Sequence, residues 1–522
     1  MPHLNRRTLI AAGLILPTLA RPAWAQGDHP VVATTSGPVR GQIEGDVRVF
    51  KGLRYGADTG PRRFQPPVAP TRWTAPAEAF AYGPASPQTG SEPNQSEDCL
   101  FLNIWSPGLD DARRPVMVYI HGGAYSSGSG SDPLYDGTRL ARRNDVVVVT
   151  LNHRLGPLGY AYLARLAGAP FQDSGNAGQL DLILALRWVR DNIAGFGGDP
   201  GRVMVFGQSG GGAKIATMMA TPVAAGLFHR VATMSGQQVT ASGPWNATRR
   251  ATTWLEALGL TPDRAAEAAT LPVEALLQAT RATDPVLGFG GLYFGPVLDS
   301  RSLPRHPFYP DAPAQSAQIP MIIGNTHDET KAFLGGDPAN FELTWDDLPG
   351  KMTDREFRID VAPEPVIAAY RRMYPAYSPS DVFFAATTAA RSWRGAVIEA
   401  EARAASGHPA FVYQLDWTSP IDGGRRGAMH TDDIPLALDN VIATGSRAQG
   451  SEAQPMADRL SRAFVALARD GDPNHPGLPT WTPYDLTLRQ TMIMDEPARM
   501  EDDPRGAERR LFAAVPYVQP GT

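Results

Sequence analysis

A single cysteine, Cys99, occurs in 522 residues. No intrachain disulfide can form, and no C-x-x-C zinc or redox motif exists. Lysine is nearly as scarce: Lys51, Lys214, Lys331 and Lys351 stand against 44 arginines. With a formal charge of −5, that skew marks an arginine-rich, high-GC coding sequence rather than a basic patch. The chain has neither the net basic domain nor the Lys/Arg stripe of a nucleic-acid binder, so no nucleic-acid partner is expected. No repeat of roughly 20–50 residues recurs, which removes solenoids and propellers. The 52 glycines and 48 prolines are dispersed, which removes collagen-like and low-complexity chains. Beyond the first 25 residues no apolar run is long enough to cross a bilayer, so no membrane span is expected.

What remains is material for a large folded core, with 43% hydrophobic and 19% charged residues. The first 25 residues read as a targeting segment. Arg6-Arg7 precede an apolar run from Leu9 to Ala20, and Ala23-Trp24-Ala25 fits a small-residue cleavage site. The paired arginines predict a twin-arginine (Tat) export signal, and hence a periplasmic or secreted protein.

Short β-branched runs bounded by turn residues follow: Pro115–His121, Val146–His153, Arg202–Gly207, Arg230–Ser235, Pro320–Gly324 and Ala410–Trp417. They read as buried strands of a parallel sheet. Helical stretches lie between them, clearest in Gln179–Phe196, where Leu180, Leu184, Trp188 and Ile193 keep near-helical spacing. Alternation of this kind predicts an α/β fold with a central sheet. Pro30–Trp73 reads as a small antiparallel flap. No flexible linker is evident, so residues 26–522 are expected to form one domain, with two long insertions, 237–319 and 331–409, serving as a cap.

The strand Arg202–Gly207 runs into Gly207-Gln208-Ser209-Gly210-Gly211 and then into a helical stretch, 212–220. G-x-S-x-G alone is weak evidence. Between a strand and a helix it is the pattern of a nucleophile held on a sharp turn, where small neighbours relieve crowding. The helix N-terminus behind Ser209 favours developing negative charge. Upstream, the strand at Pro115 ends in His121-Gly122-Gly123-Ala124-Tyr125, whose bare backbone can donate N–H groups to an oxyanion. Gly123, Ala124 and Gly210 are the expected donors. In this architecture acid and histidine follow the serine in that order. Asn325-Thr326-His327-Asp328-Glu329 supplies the acid, with position alone leaving Asp328 and Glu329 open. Of the downstream histidines, His408 precedes a strand and His475 sits in a proline-rich turn. His430 lies in a loop beyond the strand at Ala410, where a general base belongs. Without H-E-x-x-H, and with His327-Asp328-Glu329 three adjacent residues, no metal is expected. No cofactor is called for.

Further blocks carry a resemblance. Phe50-Lys51-Gly52-Leu53-Arg54-Tyr55, Arg63-Phe64-Gln65-Pro66-Pro67, Ser96-Glu97-Asp98-Cys99-Leu100-Phe101-Leu102-Asn103, Asn152-His153-Arg154-Leu155-Gly156, Gly175-Asn176-Ala177-Gly178 and Phe196-Gly197-Gly198-Asp199-Pro200 stand in order along the chain. Together with the serine elbow they resemble the type-B carboxylesterases, the cholinesterase-like branch of the α/β-hydrolases, and in particular the bacterial para-nitrobenzyl-esterase group. The resemblance implies an α/β-hydrolase fold and a serine carboxylesterase acting on small-molecule esters through an acyl-enzyme. It places the catalytic acid at Glu329 and a supporting carboxylate at Asp433. Amide or carbamate hydrolysis on the same triad is the alternative, and a catalytically silent adhesion or binding homologue a more distant one.

Three departures from the family pattern bear on function. The elbow usually reads G-E-S-A-G, whereas Gln208 and Gly210 stand here, so a charge is lost near His430. The family pairs the signature cysteine with an upstream one, and Ser86 occupies that place, leaving Cys99 unpaired and expected to be buried. Pro87–Asp98 contains no aromatic residue, which removes the tryptophan that holds choline in cholinesterases.

Overall fold

Valine and isoleucine runs form the centre of an eleven-stranded sheet in the computed structural model, which describes residues 29–519 and 521–522. The predicted leader at 1–25 lies outside the described residues. In chain order the strands are β1 (Val31–Ala33), β2 (Pro38–Arg40), β3 (Gln42–Glu44), β4 (Val47–Arg54), β5 (Ala77–Glu78), β6 (Phe101–Ser106), β7 (Arg114–Ile120), β8 (Val147–Leu151), β9 (Gly198–Gln208), β10 (Arg230–Met234), β11 (Met321–Thr326), β12 (Ala410–Leu415), β13 (Gln490–Met494) and β14 (Arg499–Asp502). The main sheet has the order β14-β13-β12-β11-β10-β9-β7-β8-β6-β4-β3. Strands β8, β7 and β9 through β13 run parallel, and antiparallel strands close both edges.

Every residue of β7, β8 and β11 is buried, because helices cover both faces. Alternation along β7 divides the core: Val116, Val118 and Ile120 join the cluster on one face, Met117 and Tyr119 that on the other. The helix Ala177–Asn192 covers the first face, continuing as a 3₁₀ turn to Phe196, and the helix Ala453–Asp470 covers the second. Segment 237–319 joins β10 to its neighbour β11, and segment 331–409 lies between β11 and its neighbour β12. The first insertion packs Trp254 and Phe294 into a cluster shared with Phe64, Tyr125, Tyr160 and Phe171, and the second builds a cluster around Tyr370 and Phe384 that Phe512 joins.

Several sequence expectations are corrected. Residues 30–73 do not form one antiparallel flap: β1 and β2 pair antiparallel, β5 adds in parallel, and β3 and β4 belong to the main sheet. Two further strands, β13 and β14, follow the strand at Ala410 and do not figure among the runs read from the sequence. Strand β6 carries Asn103 and Ser106, which interrupt its apolar pattern yet are buried. Asn103 Nδ2 donates to Thr150 Oγ1 at 2.9 Å, and Ser106 Oγ donates to the Phe196 carbonyl at 2.7 Å. Cys99 is buried and unpaired, and the Ser86 hydroxyl hydrogen-bonds to its thiol, so serine fills the place of the missing cysteine. Burial pushes the Cys99 thiol pKa well up, leaving it inert.

Candidate active site

Strand β9 ends at Gln208, and the helix Gly210–Met219 begins two residues later. Ser209 between them is held at φ 56°, ψ −126°, a strained conformation stabilised by its surroundings. Its N–H donates to the Met234 carbonyl at 2.8 Å, tying the turn to the end of β10. Close packing dictates the glycines here. A Cβ on Gly211 would lie 1.9 Å from the Ile120 carbonyl oxygen, and one on Gly210 would lie 2.1 Å from that of Ala124. The alanine usual at position 210 in the family would therefore collide with the neighbouring loop.

That loop leaves β7 through Gly123 at φ 77° and Ala124 at φ 52°. The left-handed pair turns the backbone toward the elbow, and among the described residues no group accepts the N–H of Gly123, Ala124 or Gly210. A buried lysine fixes the loop's base: Lys214, one turn into the elbow helix, donates from Nζ to the His121 carbonyl at 3.1 Å. Burial lowers the Lys214 pKa to about 7. The His121 and His153 rings pack 4.7 Å apart beside it, and burial holds both well below the usual histidine range. Sequence reasoning passed over Lys214. A lysine as the one charged residue of the elbow helix, Gly210–Met219, was the available signal.

The strand ends β11 and β12 deliver the other partners. Glu329 is fully buried below His430, and His430 Nδ1 donates to Glu329 Oε2 in a short hydrogen bond. The Thr326 N–H donates to Glu329 Oε1 at 2.9 Å, and Asn325 Nδ2 donates to the same oxygen at 3.2 Å. Burial alone would raise the Glu329 pKa; the facing imidazole and these donors hold it below the usual carboxylate value. Asp328 has a different task. It bridges Lys331 at 2.9 Å, and its Oδ2 accepts from the Ala428 N–H at 3.2 Å, bracing the loop that carries His430. Asp433 accepts from the Tyr413 hydroxyl at 2.8 Å and lies near Glu329 and His430, and burial pushes its pKa up to about 7.

Gln208 reaches the imidazole directly. Its Nε2 donates to His430 Nε2 at 3.1 Å, the nitrogen not engaged by Glu329. No hydrogen bond between Ser209 Oγ and His430 is formed among the described residues. Ser209, Gly210, Ala124 and His430 face one cavity of about 320 Å³. Tyr125, Tyr293, Phe333 and Tyr517 give it aromatic walls, and Arg358 and Arg391 its charge.

A strand–Ser–helix elbow at the carboxyl end of a parallel sheet, with Glu329 and His430 carried beyond the next strands, defines an α/β-hydrolase. The chain belongs to the carboxylesterase family, which it matches over residues 28–512. It is 34% identical over 505 residues to the para-nitrobenzyl esterase of Bacillus subtilis, covering 93% of this chain and 99% of that protein. It is 32% identical to the phenmedipham hydrolase of Pseudarthrobacter oxydans over 92% of this chain and 96% of that one. A solved Geobacillus stearothermophilus carboxylesterase superposes with a TM-score of 0.82 at 35% identity, over 92% and 99% of the two chains. The protein is a carboxylic ester hydrolase.

Proposed function

We propose that Ser209, His430 and Glu329 carry out ester hydrolysis through an acyl-enzyme, on small-molecule esters with short to medium acyl chains or aromatic parts. The observation that carries the reading is the Glu329–His430 hydrogen bond at Nδ1, which leaves the Nε2 lone pair directed at the serine elbow. In the attacking complex Gln208 yields Nε2 to Ser209 Oγ. His430 takes the serine proton as Oγ bonds to the ester carbonyl carbon. The N–H groups of Gly123, Ala124 and Gly210 receive the oxyanion, each donor supplying about 10²–10³ in rate. Collapse breaks the bond to the alkoxide, which leaves as the alcohol with the proton from His430. Water then adds to the acyl-enzyme by the same steps in reverse, releasing the acid and restoring Ser209.

The test compares wild type with Ser209→Ala on p-nitrophenyl acetate, butyrate and octanoate. Loss of a triad nucleophile costs on the order of 10⁶ in turnover, as in subtilisin. Equal rates in the two proteins would overturn the assignment, and the chain-length profile sizes the cavity. Export by the twin-arginine route is part of the same proposal. It is supported by Arg6-Arg7 before the apolar run and by a fold without a disulfide, suited to folding before export.

A further inference from the structure

Two guanidinium groups line the catalytic cavity with aromatic rings beside them but no acceptor among the described residues. Arg358 ends the short helix Asp354–Phe357 at φ 60°, and Arg391 sits in a π-helical turn, Ala389–Trp393, between two helices of the second insertion. Single π-turns of this kind are frequent at functional sites. Among the described residues neither guanidinium makes a hydrogen bond or an ion pair, and Arg358 Nε is buried with no acceptor. Other buried arginines each engage at least one acceptor, even where a single guanidinium nitrogen is left over. Arg154 holds Asp181, Arg250 holds Asp284, Arg505 holds Glu508, and Arg403 donates to three carbonyls.

The cavity wall contains no carboxylate to offset the two charges. Glu356 is the carboxylate whose field reaches both, and it pairs with neither. Burial, with mutual repulsion, lowers the Arg391 pKa to about 10, still cationic at neutral pH. The Arg391 guanidinium lies 5.0 Å from the Phe333 ring centroid, and that ring lies 4.8 Å from the His430 ring. The positive charge is thus one aromatic ring away from the base. Partly desolvated, unpaired cations are costly, and an incoming anion relieves that cost. The planar guanidinium fork suits a carboxylate.

We propose that Arg358 and Arg391 form an anion subsite, and that the preferred substrates are esters bearing a carboxylate on the acyl or the alcohol part. The proposal rests on the ester-hydrolase reading. On a protein of net charge −5, the cavity concentrates positive potential where a carboxylated ester must enter.

Two matched substrate pairs test this, each setting a carboxylate against its neutral amide isostere. On the acyl side the pair is mono-p-nitrophenyl adipate and p-nitrophenyl adipamate. On the alcohol side it is p-carboxyphenyl butyrate and p-carbamoylphenyl butyrate. In at least one pair the wild-type kcat/KM is expected to favour the anion about tenfold or more, and that pair identifies which end of the ester meets the arginines. Arg358→Gln and Arg391→Gln should each cut the ratio several-fold, and the double variant should bring it near one. A ratio cancels any loss common to both members. A second readout needs no variant: raising the ionic strength about tenfold should shrink the wild-type preference.

A wild-type ratio of one or less in both pairs, with the neutral esters turned over, overturns the subsite and leaves the ester hydrolase standing. So does a preference that survives the double variant or is insensitive to salt. Turnover of none of the four esters overturns the underlying reading, and the subsite with it.

Discussion

Gln208 and Gly210 set this site apart from the family elbow, and Gln208 is the one that meets the imidazole. An amide donates to the unprotonated Nε2 of His430 and adds no charge; a carboxylate there bonds only to the protonated ring. Gln208→Glu should therefore stabilise imidazolium and move the acid limb of the kcat/KM profile to higher pH, by about one unit. A profile coincident with wild type would show that position 208 does not touch the base in solution. The acid shows how residue type alone falls short. Asp328 and Glu329 are adjacent, equally acidic and both placed after a strand. What separates them is reach: Glu329 extends to His430 from below, whereas Asp328 turns to Lys331 and Ala428. Only the family resemblance pointed to Glu329 before the structure.

At the scale of elements, most strands legible in the sequence were built on an unbroken apolar run of three or more residues. Strands β7 and β8 are continuous runs of Val, Ile, Met and Leu with few interruptions, and their buried positions follow from that. Strand β6 hides two polar residues, Asn103 bonded across the sheet to Thr150 and Ser106 to the Gly108 and Phe196 carbonyls, β13 is short and methionine-rich, and β14 is a charged edge. None of these reveals itself locally. The helix Arg394–Ala405 holds another feature invisible to periodicity, a buried acid. Glu399 accepts the Gln238 N–H at 2.8 Å through Oε1, while among the described residues Oε2 has no hydrogen-bond partner. Burial pushes its pKa from 4.5 to about 8. The folded chain keeps this proton where the unfolded chain has released it, so stability falls as pH rises from about 4.5 to about 8. Glu399→Gln should remove that loss. The variant is expected to match wild type in Tm near pH 4.5 and to exceed it at pH 8, by on the order of a few kcal/mol in unfolding free energy. Equal Tm values at pH 8 would place the carboxylate in water.

At the scale of the whole molecule, the sheet is the device that brings distant chain segments together. Ser209 follows β9, the oxyanion loop follows β7, Glu329 follows β11 and His430 follows β12, all at the carboxyl end of parallel strands. The chain order of these parts was readable because the serine, glycine-loop and acid motifs each abut a strand and the histidine follows in the loop beyond the next one. The cavity wall was not, because Tyr293, Arg358 and Arg391 come from insertions whose path no local pattern dictates. The proposed export is tested on the same scale. With Arg6-Arg7 changed to a lysine pair, the full chain is expected to accumulate in the cytoplasm as the uncleaved form, detected by fractionation and intact mass. Unchanged export would point to a general secretory signal instead.

The most direct test of the central claim is to treat the active protein with a fluorophosphonate and map the adduct by peptide mass spectrometry. The Glu329–His430–Ser209 arrangement predicts one modified residue, Ser209, with ester hydrolysis lost in step with labelling and both abolished in Ser209→Ala. Labelling at another serine, or full hydrolysis of p-nitrophenyl butyrate by a protein whose Ser209 is modified, would contradict it.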